Sequence, residues 1–199
     1  MKKNILLSIA FTLVSVFAFS QKIRIGISPG LALSRGSYEP SAGIDRRIYA
    51  GFDGGLLIEF RIVPKISLQP ELNYSMVGVE LNNGTTERTI KLRYVTVPLL
   101  LKISPAERFH LMAGPQLGFL TAAINVPSGT TGSKTDIKDD FKSTDLDLIF
   151  GLEYRLISHI FLGARYSLGL SQIAVDDAGF TMKNRSLSFR IVCMLGSVK

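Results

Sequence analysis

Apolar residues fall at every second position over most of this chain. From Lys22 to Leu33, Ile23, Ile25, Ile27, Leu31 and Leu33 share one face, while Arg24, Gly26, Ser28 and Gly30 share the other. A period of two is the mark of a strand with one apolar side. Ala50 to Ile62 repeats it, with Phe52, Leu56, Ile58, Phe60 and Ile62 opposite Asp53, Gly55, Glu59 and Arg61. Ile66 to Met76 sets Ile66, Leu68, Leu72, Tyr74 and Met76 against Ser67, Gln69, Glu71, Asn73 and Ser75. Similar segments lie near 90–102, 108–122, 144–155, 159–171 and 183–195, so the pattern predicts eight strands and no intervening helix. Val95 to Leu101 is almost continuously apolar around Pro98. Placing Val95, Val97, Leu99 and Leu101 on the apolar side turns Thr96 and Lys102 to the other.

The predicted connections are 34–49, 63–65, 78–89, 103–107, 123–143, 156–158 and 172–182, long and short in strict alternation. The short ones hold Val63-Pro64-Lys65 and Ser104-Pro105-Ala106, and the long ones are rich in Gly, Ser, Thr, Asn and Asp. A soluble sandwich has no reason to collect its long loops at one end. An outer-membrane barrel does, with tight periplasmic turns, long external loops and an even number of antiparallel strands. Closure leaves no unpaired edge in lipid. The pattern therefore predicts an all-β fold, an eight-stranded antiparallel up-and-down transmembrane β-barrel of outer-membrane type.

The polar face then lines a lumen that side chains nearly fill. On these parities Arg24, Asp53, Glu59, Arg61, Glu71, Asp147, Glu153, Arg155, Arg165 and Arg190 point inward, five acids and five bases. Balanced signs favour a mutually paired structural network over isolated buried charges. Tyr74, Tyr94, Tyr154 and Tyr166 are candidates for an interfacial aromatic girdle, which the absence of Trp keeps thin.

The N-terminus sets the compartment. Lys2 and Lys3 precede an apolar run from Ile5 to Phe19, and Ala18-Phe19-Ser20 offers small residues where a signal peptidase reads. The expectation is a cleaved signal peptide, 1–20, and a barrel domain, 21–199. No cysteine stands at the cleavage point, so lipoprotein processing is not indicated. Removing Lys2 and Lys3 leaves 21 bases against 16 acids, and a net charge of +5. The bases are scattered singly, which argues against nucleic acid as a partner. The single cysteine, with no Cys/His cluster, gives neither a disulfide framework nor a structural zinc site.

Four segments resemble a known family. Tyr94-Val-Thr-Val-Pro-Leu-Leu-Leu-Lys102 is similar to a strand motif of the PorT-like outer-membrane β-barrel family. Phe109-His-Leu-Met-Ala-Gly-Pro115 and Ala164-Arg-Tyr-Ser-Leu-Gly-Leu170 resemble later strands of it, and Lys183-Asn184 resembles the entry to its last strand. The order and spacing match across nearly the whole mature chain. The resemblance implies an eight-stranded barrel in the outer membrane of a Gram-negative bacterium of the gliding, type IX-secreting kind. Thr96 departs from the motif, which usually carries an acid there. The chain also lacks the usual terminal aromatic, so Leu195 would stand in for it.

Candidate chemistry is sparse. His110 and His159 are the two imidazoles, and neither has a serine and an acid at recognisable spacing. Asp136, Asp139, Asp140, Asp176 and Asp177 lie in long loops without a calcium-loop pattern. Asn83-Gly84 reads as a turn. No Gly-rich phosphate cradle precedes a helix, and the strand glycines read as bends and as room for lumenal side chains. The expectation is a non-enzymatic protein without a cofactor or metal, with a structural or interaction role and a closed lumen. Its partners would be outer-membrane lipid and lipopolysaccharide, and proteins met through external loops or periplasmic turns. The alternatives are an accessory component of type IX secretion or gliding machinery, or a lipid-modifying outer-membrane enzyme.

Overall fold

The structure, a computed structural model, describes residues 23–39, 45–82, 84, 87–127, 134–176 and 179–198. The expected signal peptide, with Asn83 and Asp177, lies outside them. Eight long strands follow one another around a ring. β1 runs in two pieces, Ile23–Ile27 and Gly30–Ser34. The others are β2 (Asp45–Val63), β3 (Ile66–Asn82), β4 (Glu87–Ala106), β5 (Phe109–Pro127), β6 (Thr144–Ile157), β7 (Ile160–Gly169) and β8 (Arg185–Val198).

Every neighbouring pair is antiparallel, and β1 closes the ring between β2 and β8. Pro29 divides β1 because it has no N–H for the ladder. The closure survives the break, since Ser28 donates from its N–H to the Gly55 carbonyl and Ile191 donates to the Pro29 carbonyl, at 2.8 and 2.9 Å. Pro64-Lys65, Glu107-Arg108 and Ser158-His159 are two-residue turns at one end, which the topology assigns to the periplasm.

The outer face is a lipid-facing belt. Leu56, Leu72, Val97, Leu99, Leu111, Leu117, Phe150, Leu152, Phe189 and Ile191 are among the large apolar side chains exposed on it. Val95 to Leu101 takes the parity expected of it, with Thr96 and Lys102 buried inside.

Two features differ from the sequence reading. The predicted connection 78–89 is mostly strand, because β3 continues to Asn82 and β4 begins at Glu87. Its pattern reverses rather than ends. Val77, Val79, Leu81, Ile90 and Leu92 are buried on the inner face, whereas Glu80, Lys91 and Arg93 alternate with them. Register pairs Met76 with Arg93 and Tyr74 with Val95, so the reversal falls at one level on both strands. Beyond that level the barrel leaves lipid, and its apolar face turns inward as in a water-soluble barrel. The Lys91 ammonium lies 5.8 Å from the centre of the Tyr49 ring at this rim.

The second difference concerns the long loops. Phe141, Ile173, Ala174 and Met182 pack on Val79, Leu92, Leu120 and Ala123 as one buried apolar cluster over the external mouth. Backbone bonds from Lys142 to Ile173 and from Val175 to Asp140 tie 138–143 to 170–176, and one from Ile173 to Met182 ties that segment to 179–184. A short pairing of 37–39 with 181–183 adds to it. Tyr94, a girdle candidate, is buried in this cluster; Tyr74, Tyr154 and Tyr166 face outward and are exposed.

Candidate functional site

The lumen is layered. At the periplasmic end Leu57, Phe161, Val192 and Met194 form a small apolar floor. Above Phe161, Arg24 on β1 donates to both oxygens of Glu59 on β2, at 2.7 and 2.8 Å. Ser67 Oγ donates to Glu59 as well, at 3.0 Å. Lys102 is only 1% exposed, and its ammonium reaches Glu153 Oε2 at 2.6 Å, Gln69 Oε1 at 3.2 Å and Glu59 Oε2 at 3.4 Å. The same ammonium lies 5.3 Å from the centre of the Phe161 ring.

Arg165 forms the next link. It donates to both oxygens of Glu71, at 2.7 and 2.9 Å, and to Glu153 Oε1 at 3.2 Å. Gln69 and Asn73 also donate to Glu71, at 2.6 and 3.0 Å. Arg190 bridges onward, to Glu71 at 3.3 Å and to Asp53 Oδ2 at 2.9 and 2.6 Å. Arg24, Glu59, Lys102, Glu153, Arg165, Glu71, Arg190 and Asp53 thus form one continuous chain alternating in sign. Such pairing is what a buried charge requires.

Glycines make the room. Gly151 sits opposite Arg165, and a Cβ there would lie 2.8 Å from Met112 Cγ and 3.0 Å from Arg165 Cγ. Gly163 sits opposite Glu153 in the same way.

Of the ten residues expected inside, seven are in this chain: Arg24, Asp53, Glu59, Glu71, Glu153, Arg165 and Arg190. Asp147 is buried higher up, where Gln116 donates to its Oδ2 at 2.7 Å. Arg61 corrects the expectation: its strand parity points inward, but it lies at the periplasmic rim beside the Pro64-Lys65 turn and is exposed. Arg155 is a second correction, half-buried near the Ser158-His159 turn, with no ion pair among the described residues. In both cases alternation gives a direction without saying where the lumen stops.

Lys102 and Asp145 are buried in the lumen as well, beyond the ten residues expected there. The parity that buries Lys102 was readable at Tyr94–Lys102. Asp145 lies two residues before Asp147 on β6, so it shares the inward face. Asn184 Nδ2 and Ser171 Oγ donate to Asp145, at 2.7 and 2.5 Å.

The histidines have separate settings. His110 is buried, with Nδ1 2.6 Å from Ser104 Oγ and its ring tilted on Phe161 at 5.6 Å. No hydrogen bond reaches its Nε2 among the described residues, so no carboxylate orients the ring as a triad requires. His159 is exposed in a turn. The loop acids do not converge: Asp136 accepts from the Lys138 N–H at 2.9 Å, and Asp176 pairs with Lys142 at 3.3 Å. The described residues hold no group of three or more His, Cys, Asp or Glu side chains placed for a metal ion.

A closed antiparallel ring with an apolar outer belt and a charged interior defines a transmembrane β-barrel of outer-membrane type. The chain belongs to the outer membrane protein beta-barrel domain family, whose model matches residues 19–175. Among solved structures it is similar to Neisserial surface protein A (NspA), with a TM-score of 0.53 and 14% identity, covering 85% of this chain and 96% of that one. The attachment invasion locus protein Ail of Yersinia pestis matches with a TM-score of 0.46 and 14% identity, over 85% of this chain and 97% of that one. At 14% identity the likeness to NspA shows the fold alone. No curated protein matches the chain at a significant level. The protein is an outer-membrane β-barrel protein.

Proposed function

We propose that the protein is a closed barrel with a structural or interaction role, acting through its exposed ends rather than by passage through its lumen. The observation that carries this reading is the eight-membered charge chain across the barrel, lying between the apolar floor at Phe161 and the apolar cluster at the external mouth. A conduit would need these pairs to part, and each costs several kcal/mol to break, on the order of 3–5 when one partner is left buried. A non-enzymatic role is supported by how the polar groups are engaged. Ser104 holds His110 Nδ1, and Glu59 and Glu153 are committed to Lys102. The Tyr94–Lys102, Phe109–Pro115 and Ala164–Leu170 segments support placing the chain in the PorT-like branch. The n-region and apolar run before Ser20 support cleavage of a signal peptide there.

The test is conductance of the purified wild-type barrel in planar bilayers, joined to affinity purification in mild detergent. The expected result is no steady current and recovery of protein partners or of the barrel alone. Steady porin-scale current from the monomer would overturn the closed-lumen reading. Altered lipid A masses in a deletion strain, restored by the gene, would replace it with an enzymatic one.

A further inference from the structure

We propose that the upper lumen is a binding site for one hard divalent cation, calcium by charge and size, held by Asp145 and Asp147 on β6 with Tyr94 and Thr96 on β4.

Charge is the first argument. The chain from Arg24 to Asp53 uses four bases and four acids, so it is neutral by itself. Asp145 and Asp147 remain outside it, and both are buried. Two residues apart on one face of a strand, their Cβ atoms are separated by about 7 Å. Their hydrogen-bond donors are Gln116, Ser167, Asn184 and Ser171, all neutral. No lysine, arginine or histidine nitrogen lies within ion-pair distance of either among the described residues. Two buried carboxylates without a counter-charge are costly.

The second argument is independent of charge. Asp147 Oδ1 and Thr96 Oγ1 are buried oxygens with no hydrogen-bond partner of good geometry among the described residues, and Tyr94 Oη has the neutral Asn184 amide beside it. Tyr94 is 2% exposed and Thr96 4%. All three residues, with Asp145, line one cavity of about 30 Å³. It lies between the charge chain and the external apolar cluster. Arg165 and Arg190 bound it too; the terminal nitrogens of Arg165 are engaged by Glu71 and Glu153 and the Arg190 guanidinium by Asp53, which leaves Arg165 Nε without a partner among the described residues.

The donor chemistry selects the ion. Oxygen ligands, without imidazole or thiolate, suit a hard cation. Magnesium keeps several of its waters, whereas calcium accepts an irregular set of carboxylate and neutral oxygens. A cavity of this size takes only one or two water-sized bodies. The two negative charges match one calcium ion.

The experiment uses the refolded barrel in detergent at pH 8, stripped of metal. Its thermal unfolding is followed by circular dichroism with calcium chloride, magnesium chloride or sodium chloride at matched ionic strength. Calcium at a hundredfold excess over its dissociation constant should raise the midpoint by about 5 °C or more, and magnesium and sodium should do less. Terbium chloride should give tyrosine-sensitised emission that calcium displaces. Both effects should vanish in Asp147→Asn and persist in the loop variant Asp139→Asn/Asp140→Asn. If Asp147→Asn fails to fold, Thr96→Val removes one oxygen at nearly constant shape and should weaken calcium binding. Equal melting in all three salts would overturn the proposal. So would calcium stabilisation that survives Asp147→Asn or disappears in the loop variant. A wild-type barrel indifferent to calcium, with Asp147→Asn simply more stable, would mean that a shared proton relieves the pair instead.

Discussion

Arg165 on β7 and Glu71 on β3 meet across the centre of the lumen through two N–H···O bonds of 2.7 and 2.9 Å, though 94 residues separate them in the chain. Their strands are not neighbours in the ring, so the pair ties opposite walls together. Glu71 also accepts from Gln69, Asn73 and Arg190, and Arg165 reaches Glu153. Deleting either partner strands a charge in a place that water barely reaches.

Arg165→Met should therefore destabilise the barrel by about 3–5 kcal/mol, because Glu71 and Glu153 lose a counter-charge. Arg165→Lys keeps the charge but not the planar fork, and should cost less. Adding Glu71→Gln to Arg165→Met should recover part of the loss, since neighbours in one network do not add. Urea unfolding followed by circular dichroism measures all three. Strict additivity would show that the pair is not coupled.

The outer face makes the opposite demand. Leu152 on β6 lies between Leu111 and Ala164 on the adjoining strands, in the middle of the exposed apolar belt. Leu152→Arg should cost about 2–4 kcal/mol, the penalty for a cation near the bilayer midplane, while Leu152→Met is nearly neutral. The check is folding yield into lipid vesicles, read as the fraction that shifts on unheated gels. Equal yields for the two variants would contradict the lipid-facing assignment.

At the external mouth, Ile173 is fully buried in the cluster that joins the loops to β3, β4 and β5. Ile173→Asp should release the segments around it without unfolding the strands, because the charge chain lies deeper. Trypsin should then cut at Lys138 and Lys142 of the folded variant much faster than in the wild type, with heat-modifiable migration retained. Unchanged cutting would mean that the cluster does not hold the loops.

Much of this was legible from period-two patterning. The alternation at Ile23–Leu33 and Ile66–Met76 gives strands with the correct faces, because burial in lipid and burial in a charged lumen select opposite residue types. Where that contrast reverses, alternation no longer marks the end of a strand. At Met76-Val77 two apolar residues stand together, one facing lipid and the next facing the external cluster, which breaks the alternation although the strand runs on to Asn82. The pairing of Lys102 with Glu153 was not legible at all. Alternation gives the side of a strand, while depth along the barrel depends on register and tilt. The same missing coordinate explains Arg61, which has the right parity at the wrong height.

The reversal itself fixes the height of the membrane. On β4 the outward positions read Lys91, Arg93, Val95, Val97 and Leu99, with charge giving way to apolar side chains between Arg93 and Val95. The inward positions change at the same place, from Ile90 and Leu92 to Thr96. A charged side chain facing hydrocarbon is disfavoured, and so is an unpaired polar group inside a dry cluster, so one boundary accounts for both changes. Cys193 is the chain's single cysteine, and replacing it with serine gives a silent background. In that background Lys91→Cys and Arg93→Cys should react quickly with a membrane-impermeant maleimide on intact cells. Val97→Cys and Leu99→Cys should resist it until detergent is added, and Leu92→Cys should stay protected within the apolar cluster. Rapid labelling at Val97 would move the lipid boundary inward by a turn of the pleat. Protection at Arg93 would place that guanidinium in lipid, and the charge reversal could no longer mark the surface of the membrane.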